Sequence, residues 1–201
     1  MNLPNYIVFF DFETGGIEPS KPEIQLAAIA VNERFEERAV FESKISFRED
    51  EADAEALKLN HYDPALWANA PHPDAVAARF AGFVENYRSV AMISKRTGRP
   101  YTVARLAGHN ASTFDGPRLR RMFDRAGVFA PFHPIPLDTL QFALWHFQLN
   151  GEKKPENLQL STIAKHFGID TEGAHDALTD VRLAAKIAGR LCAGMVAGVA
   201  A

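Results

Sequence analysis

The 201 residues are 47% hydrophobic and 23% charged, with a formal net charge of −3, which is enough for one sizeable core and argues against wholesale electrostatic capture of a polyanion. The single cysteine, Cys192, excludes an internal disulfide and a multi-cysteine metal site. No apolar stretch reaches the length of a spanning helix and residues 1–10 lack a basic region. The expectation is one domain over residues 1–192 in a reducing cytoplasm, with no membrane attachment and a frayed tail at 193–201.

In chain order, residues 6–10 form a nearly unbroken run of apolar β-formers, the pattern of a strand covered on both faces. Residues 24–31 and 39–47 read as two further strands, joined by a turn short enough for antiparallel neighbours. Residues 51–59 read as a short helix. A longer one follows at 74–87, where Val76, Phe80, Phe83 and Val84 repeat at helical spacing. Residues 90–101 are a basic loop or hairpin. A strand at 103–107 leads into His109-Asn110, and a helix then ends at Gly127. A short extended piece at 135–137 precedes helices at 139–149, 158–167 and 177–191. This order describes an α/β class, a mixed sheet flanked by helices.

Charge is distributed unevenly. Residues 95–125 hold eight basic and two acidic side chains, whereas residues 33–55 hold four basic and nine acidic. Each block also fits a plain solvated face.

Four acids and one histidine are the candidates for chemistry. Asp11 and Glu13 are two apart, so their carboxylates project from one side of the strand, where they repel unless a cation or an arginine intervenes. By itself the spacing also fits a turn acid beside a solvated one. Asp180 is in helical register with Ala177, Ala184, Ile187 and Leu191, so it belongs to a stripe facing the sheet, where a lone charge is costly. Asp115, followed by Gly116 and Pro117, reads equally as a helix cap. His175 lies five residues before Asp180, at or before the helix start, from which an imidazole could reach whatever the carboxylates hold.

Asp11-Phe12-Glu13-Thr14-Gly15-Gly16, His109-Asn110-Ala111 with Phe114-Asp115, and His175-Asp176-Ala177-Leu178-Thr179-Asp180, taken in that order, resemble the three motifs of the DEDDh 3'-5' exonuclease family. The resemblance covers residues 7–191, and the spacing H-x-A-x-x-D selects the histidine branch. It implies a ribonuclease H-like fold with a mixed five-stranded sheet. It further implies two divalent cations, Mg²⁺ or Mn²⁺, held by Asp11, Glu13, Asp115 and Asp180, with His175 as general base for the attacking water. The implied substrate is a nucleic acid with a free 3' end, single-stranded, DNA or RNA, cut to nucleoside 5'-monophosphates. A homodimer or an association with a polymerase is compatible with the resemblance.

Carried over in the same way, Thr14 and Gly15 meet the terminal 3' hydroxyl, and His109, Asn110 and Phe114 line the nucleotide pocket, Phe114 by stacking. Core or turn packing is an equal alternative for each. Leu59, His61 and Tyr62 occupy the region where relatives wedge the terminal bases. Arg118, Arg121 and the 95–99 segment are candidates for phosphate contact. The segment 95–102 is longer and more basic than a minimal member needs, and serves either as a substrate-guiding arm or as a plain surface hairpin. The rival functions are a catalytically inactive nucleic-acid-binding or polymerase-associated module of the same fold, and an endonuclease.

Overall fold

The computed structural model describes residues 5–149, 153–173 and 176–199, the last six as backbone only. The central sheet has the order β3-β2-β1-β6-β7. Its strands are β1 (Ile7–Thr14), β2 (Glu23–Val31), β3 (Glu37–Lys44), β6 (Leu106–Gly108) and β7 (Leu137–Asp138). β1, β2 and β3 form an antiparallel meander, while β6 and β7 run parallel to β1, so the sheet is mixed, as expected.

The alternation of β1 divides the core. Val8, Phe10 and Phe12 face helices α3 (Pro73–Glu85) and α4 (Asp115–Ala126), packing with Val76, Phe80, Leu119 and Phe123. Phe9 faces the opposite way, onto Ala177, Val181, Ala184 and Ala188 of helix α7 (Ala177–Val199). The small residues of α7 let the helix approach the sheet closely, and its far side, Leu183, Ile187 and Leu191, packs against α5 (Thr139–Leu149) and α6 (Leu160–His166). Two further helices, α1 (Ala54–Leu59) and α2 (Pro64–Trp67), cover the end of the meander, where buried Trp67 donates its indole N–H to the Ile24 carbonyl at 2.9 Å. Among the described residues no helix is long and apolar enough to cross a membrane.

Several boundaries differ from the sequence reading for physical reasons. β1 continues to Thr14, because β2 keeps pairing with it as far as Glu23, so Asp11 and Glu13 lie within the strand rather than beyond it. The 51–59 helix is split into a 3-10 turn, Glu49–Glu51, and α1. Asp53, at the α1 N-cap position, gives its carboxylate to Lys21 instead of the helix. The basic segment is a hairpin: β4 (Arg88–Ile93) and β5 (Pro100–Ala104) form a separate two-stranded sheet. Helix α7 runs on to Val199, past the expected end at residue 191; Gly194 and Gly198 are weak helix formers, and Ala193, Met195 and Ala197 around them are good ones.

Arg118 is the least expected core residue. Its side chain is 2% exposed, and its guanidinium donates to the carbonyls of Gly16, Ile17, Glu18 and Lys21 at 2.8–3.3 Å. Buried Glu23 lies 3.7 Å away and is shared with Arg125. Arg118 is therefore a strut under the loop that follows β1, which corrects its candidacy as a phosphate contact: its donors are spent inside the fold. Replacing Arg118 by Ala removes the donors to four loop carbonyls, one of them buried, and half of a buried ion pair, and chemical denaturation should show a loss of about 3 kcal/mol. A loss under about 1 kcal/mol would contradict this role.

Candidate active site

The carboxylates converge because three separate stretches deliver them to one end of the sheet. Asp11 and Glu13 continue the Phe9 side of β1, which places them under the first turns of α7, where Asp180 faces them. One carboxylate oxygen from each of Asp11, Glu13 and Asp180 lies within 4.8 Å of the others. Asp115 arrives by a different route. β6 ends at Gly108, so beyond Phe9 and Phe10 no strand is left to accept the N–H of Phe12 on that side. The Asp115 carboxylate takes it, at 3.3 Å, from the first residue of α4. Its side chain is 2% exposed. It is turned to the strand, and no side chain caps α4, which decides against the simple cap.

At such separations each pair of charges repels by about 3 kcal/mol for the effective dielectric of a protein site. Burial, followed by Asp115, Glu13 and Asp180, holds the Asp11 carboxyl well above the usual carboxylate range. Burial, then Asp180, Asp176 and Asp115, pushes Glu13 up to about 8. Burial pushes Asp115 up to about 7, against the opposing hydrogen bond from Phe12 and the charge of Arg118. The donor set fits a hard divalent cation: the trio is oxygen only and closely spaced, and it cannot ionise fully without positive charge between its members.

The loop around the acids is fixed from beneath. Asp138, at the end of β7, accepts the backbone N–H groups of Asn110 and Ser112 at 3.0 and 2.9 Å, and that of Leu140 at 3.0 Å. This residue was missed in the sequence reading, although its place just before Thr139 at a helix entrance is a capping signal. His109 is locked, with Nδ1 2.9 Å from the Thr139 hydroxyl and Nε2 2.9 Å from the Leu158 carbonyl. Asn110, at φ 58°, turns the chain and accepts the Thr113 hydroxyl. Phe114 is half-buried, with the Arg118 guanidinium 4.4 Å from its ring centre.

Thr14 donates its hydroxyl to the Gly16 carbonyl, and its own carbonyl accepts the Asn60 amide. The N–H of Gly15 goes to Pro22 and its carbonyl takes the Asp53 N–H. A Cβ on Gly15 would stand 2.6 Å from that of Ala52, so glycine is required by packing as well as by any ligand. Hydrogen bonds and packing inside the fold hold each of these five residues. His175 lies outside the described residues. The next residue, Asp176, accepts the N–H and hydroxyl of Thr179 and so caps α7.

The exonuclease family RNase_T matches residues 8–95, the stretch that carries Asp11 and Glu13. Protein NEN4 of Arabidopsis thaliana is 26% identical over 186 residues, which cover 90% of this chain and 64% of NEN4. Among solved structures, E. coli exonuclease I in complex with a dT13 oligonucleotide superposes with a TM-score of 0.73 at 22% identity, over 93% of this chain and 41% of that one. The zinc-bound exonuclease I complex with single-stranded DNA gives 0.74 at 21% identity, over 96% and 43%. The chain thus spans about two thirds of NEN4 and under half of exonuclease I. Fold and site together give a mixed five-stranded sheet with carboxylates gathered at one end, and the chain is similar in fold to exonuclease I.

Raised carboxylate values have a thermodynamic signature. Glu13 titrates near 8 in the fold and near 4.5 when free, so between those values the folded form holds the extra proton and stability falls as pH rises. Metal-free protein should therefore melt at lower temperature at pH 8 than at pH 5.5, and Asp11→Asn should flatten the trend. A melting temperature that climbs across this range would count against the geometry.

Proposed function

We propose that this chain is a divalent-cation-dependent 3'-5' exonuclease acting on single-stranded nucleic acid. The carrying observation is the meeting of Asp11, Glu13 and Asp180 within 4.8 Å, with Asp115 alongside at the Phe12 N–H. The match of residues 8–95 to the exonuclease family model and the likeness to exonuclease I support the same reading, and the oligonucleotides in those structures favour a single strand as substrate.

Asp11, Glu13, Asp115 and Asp180 would hold two cations, Mg²⁺ or Mn²⁺, which supply Lewis-acid stabilisation of the charge that develops at the phosphoryl group. His175 precedes the cap of α7, and the charge of its neighbour Asp176 acts on Glu13, which supports a place for the imidazole at the rim of the acids. There it takes the proton of the attacking water while the carboxylates remain ligands. The rigid Thr14-Gly15 turn and Phe114 shape the seat of the terminal nucleotide. Exposed Leu59 and His61 stand beside this seat, since the following and intervening Asn60 is bonded to Thr14. Water attack on the last phosphodiester, with departure of the 3' oxygen of the preceding nucleotide, releases a nucleoside 5'-monophosphate.

The test is digestion of matched 5'-labelled single-stranded DNA and RNA with Mg²⁺ or Mn²⁺, each also as a circle. Stepwise shortening from the 3' end, inertness of the circles and loss of cleavage in EDTA are expected. Asp11→Ala should fold and be inactive, and His175→Ala should lose about 10²- to 10⁴-fold in kcat. Internal fragments from circles would make the chain an endonuclease, and binding without turnover would make it an inactive module.

A further inference from the structure

The β4–β5 hairpin is a sheet of its own and is chemically unlike the rest of the surface. No acidic residue occurs between Glu85 and Asp115, whereas Arg88, Lys95, Arg96, Arg99 and Arg105 all fall in that interval. The hairpin tip is built rather than loose: Ser94 and Arg99 close it through backbone hydrogen bonds, and the Ser94 and Thr97 hydroxyls accept the N–H groups of Thr97 and Arg99. Lys95, Arg96 and Arg99 are exposed and have no carboxylate partner among the described residues. Beside them Tyr101, 37% exposed, meets Phe129, 67% exposed, with ring centres 6.5 Å apart.

The direction of the hairpin fixes its relation to the acids. β5 passes through Arg105 into β6, which ends at Gly108, at the carboxylate end of the sheet. Arg99 and Gly108 are nine steps apart along β5 and β6, a reach of at most about 30 Å. Two guanidinium groups mark the interval: Arg105 donates to the Ile135 carbonyl and Arg120 to that of adjacent Pro134. Arg120 in turn lies five residues, about one and a half turns, along α4 from Asp115. Neither has a carboxylate partner among the described residues.

Resting on the exonuclease reading, we propose that the hairpin is a distal anchor for the strand being digested. Lys95, Arg96 and Arg99 hold backbone phosphates, and a base stacks on the exposed Tyr101–Phe129 pair. Unpartnered positive charge interleaved with exposed aromatic rings is the chemistry that grips single-stranded nucleic acid without reading its sequence. At 3.4 Å per stacked nucleotide, at most about nine nucleotides bridge the tip and the acids. Strands shorter than that are cut without anchorage, and longer ones are held between cuts.

The test compares 5-mer and 20-mer single strands for wild type and for the triple variant Lys95→Ala, Arg96→Ala, Arg99→Ala, with folding checked by circular dichroism. Wild-type KM should fall about tenfold or more from 5-mer to 20-mer. The triple variant should lose that gain, and its salt dependence on the 20-mer should be shallower by about two in log–log slope. Tyr101→Ala should lose about fivefold in 20-mer affinity. The same affinities measured by anisotropy in EDTA read the anchor even if no turnover occurs, which separates its failure from failure of the exonuclease reading. An unchanged length dependence in the triple variant overturns the proposal and leaves the surface to a partner of another kind, such as an acidic protein.

Discussion

Four carboxyl groups gathered at the end of one buried strand set the terms for everything around them. In a site partly closed to water their charges are poorly screened, so the fold carries a local repulsion that protons relieve in part and a divalent cation relieves better. Such an arrangement persists only if the rest of the structure holds the groups together against that repulsion. The surrounding packing does this from both faces of the sheet. α7 is clamped through small residues to Phe9, Ala27 and Ile29, which fixes Asp180 over β1. On the other face, Leu119, Met122 and Phe123 anchor α4, so that Asp115 cannot withdraw.

The elements next to the acids show how little of this neighbourhood is left adjustable. Arg118 ties the loop after β1 through four carbonyls, Asp138 ties the loop before α4 through two backbone N–H groups, and His109 is held at both ring nitrogens. The proposed phosphoryl chemistry would work chiefly by positioning and electrostatic stabilisation, and a rigid surround serves both. The shortness of β6 belongs to the same design: a strand one residue pair longer would claim the Phe12 N–H and leave Asp115 without its anchor.

Most of the architecture could be read from period and punctuation. The alternation of Asp11 and Glu13 with Phe10 and Phe12, and the helical register of Asp180 with Ala177 and Ala184, state the sidedness of each acid in one dimension, because those rules are local. Asp115 could not be told from a cap by that route, since its partner is 103 residues away in sequence. The buried role of Arg118 was hidden for a similar reason. An arginine within a basic helix signals exposure, and only the return of the 16–21 loop over it supplies the four acceptors. His109 likewise depends on Leu158, a distant carbonyl. The hairpin of 88–104 was ambiguous because its apolar residues are few and its outer half faces solvent.

The carboxylate cluster is tested most directly by calorimetric titration of metal-free protein with Mn²⁺ at pH 7 in buffers of different ionisation enthalpy. Cations entering a partly protonated carboxylate cage must displace protons, so the account predicts saturable binding with net proton release, and loss of both in Asp180→Asn. Binding without proton release, or identical titrations for wild type and variant, would contradict it.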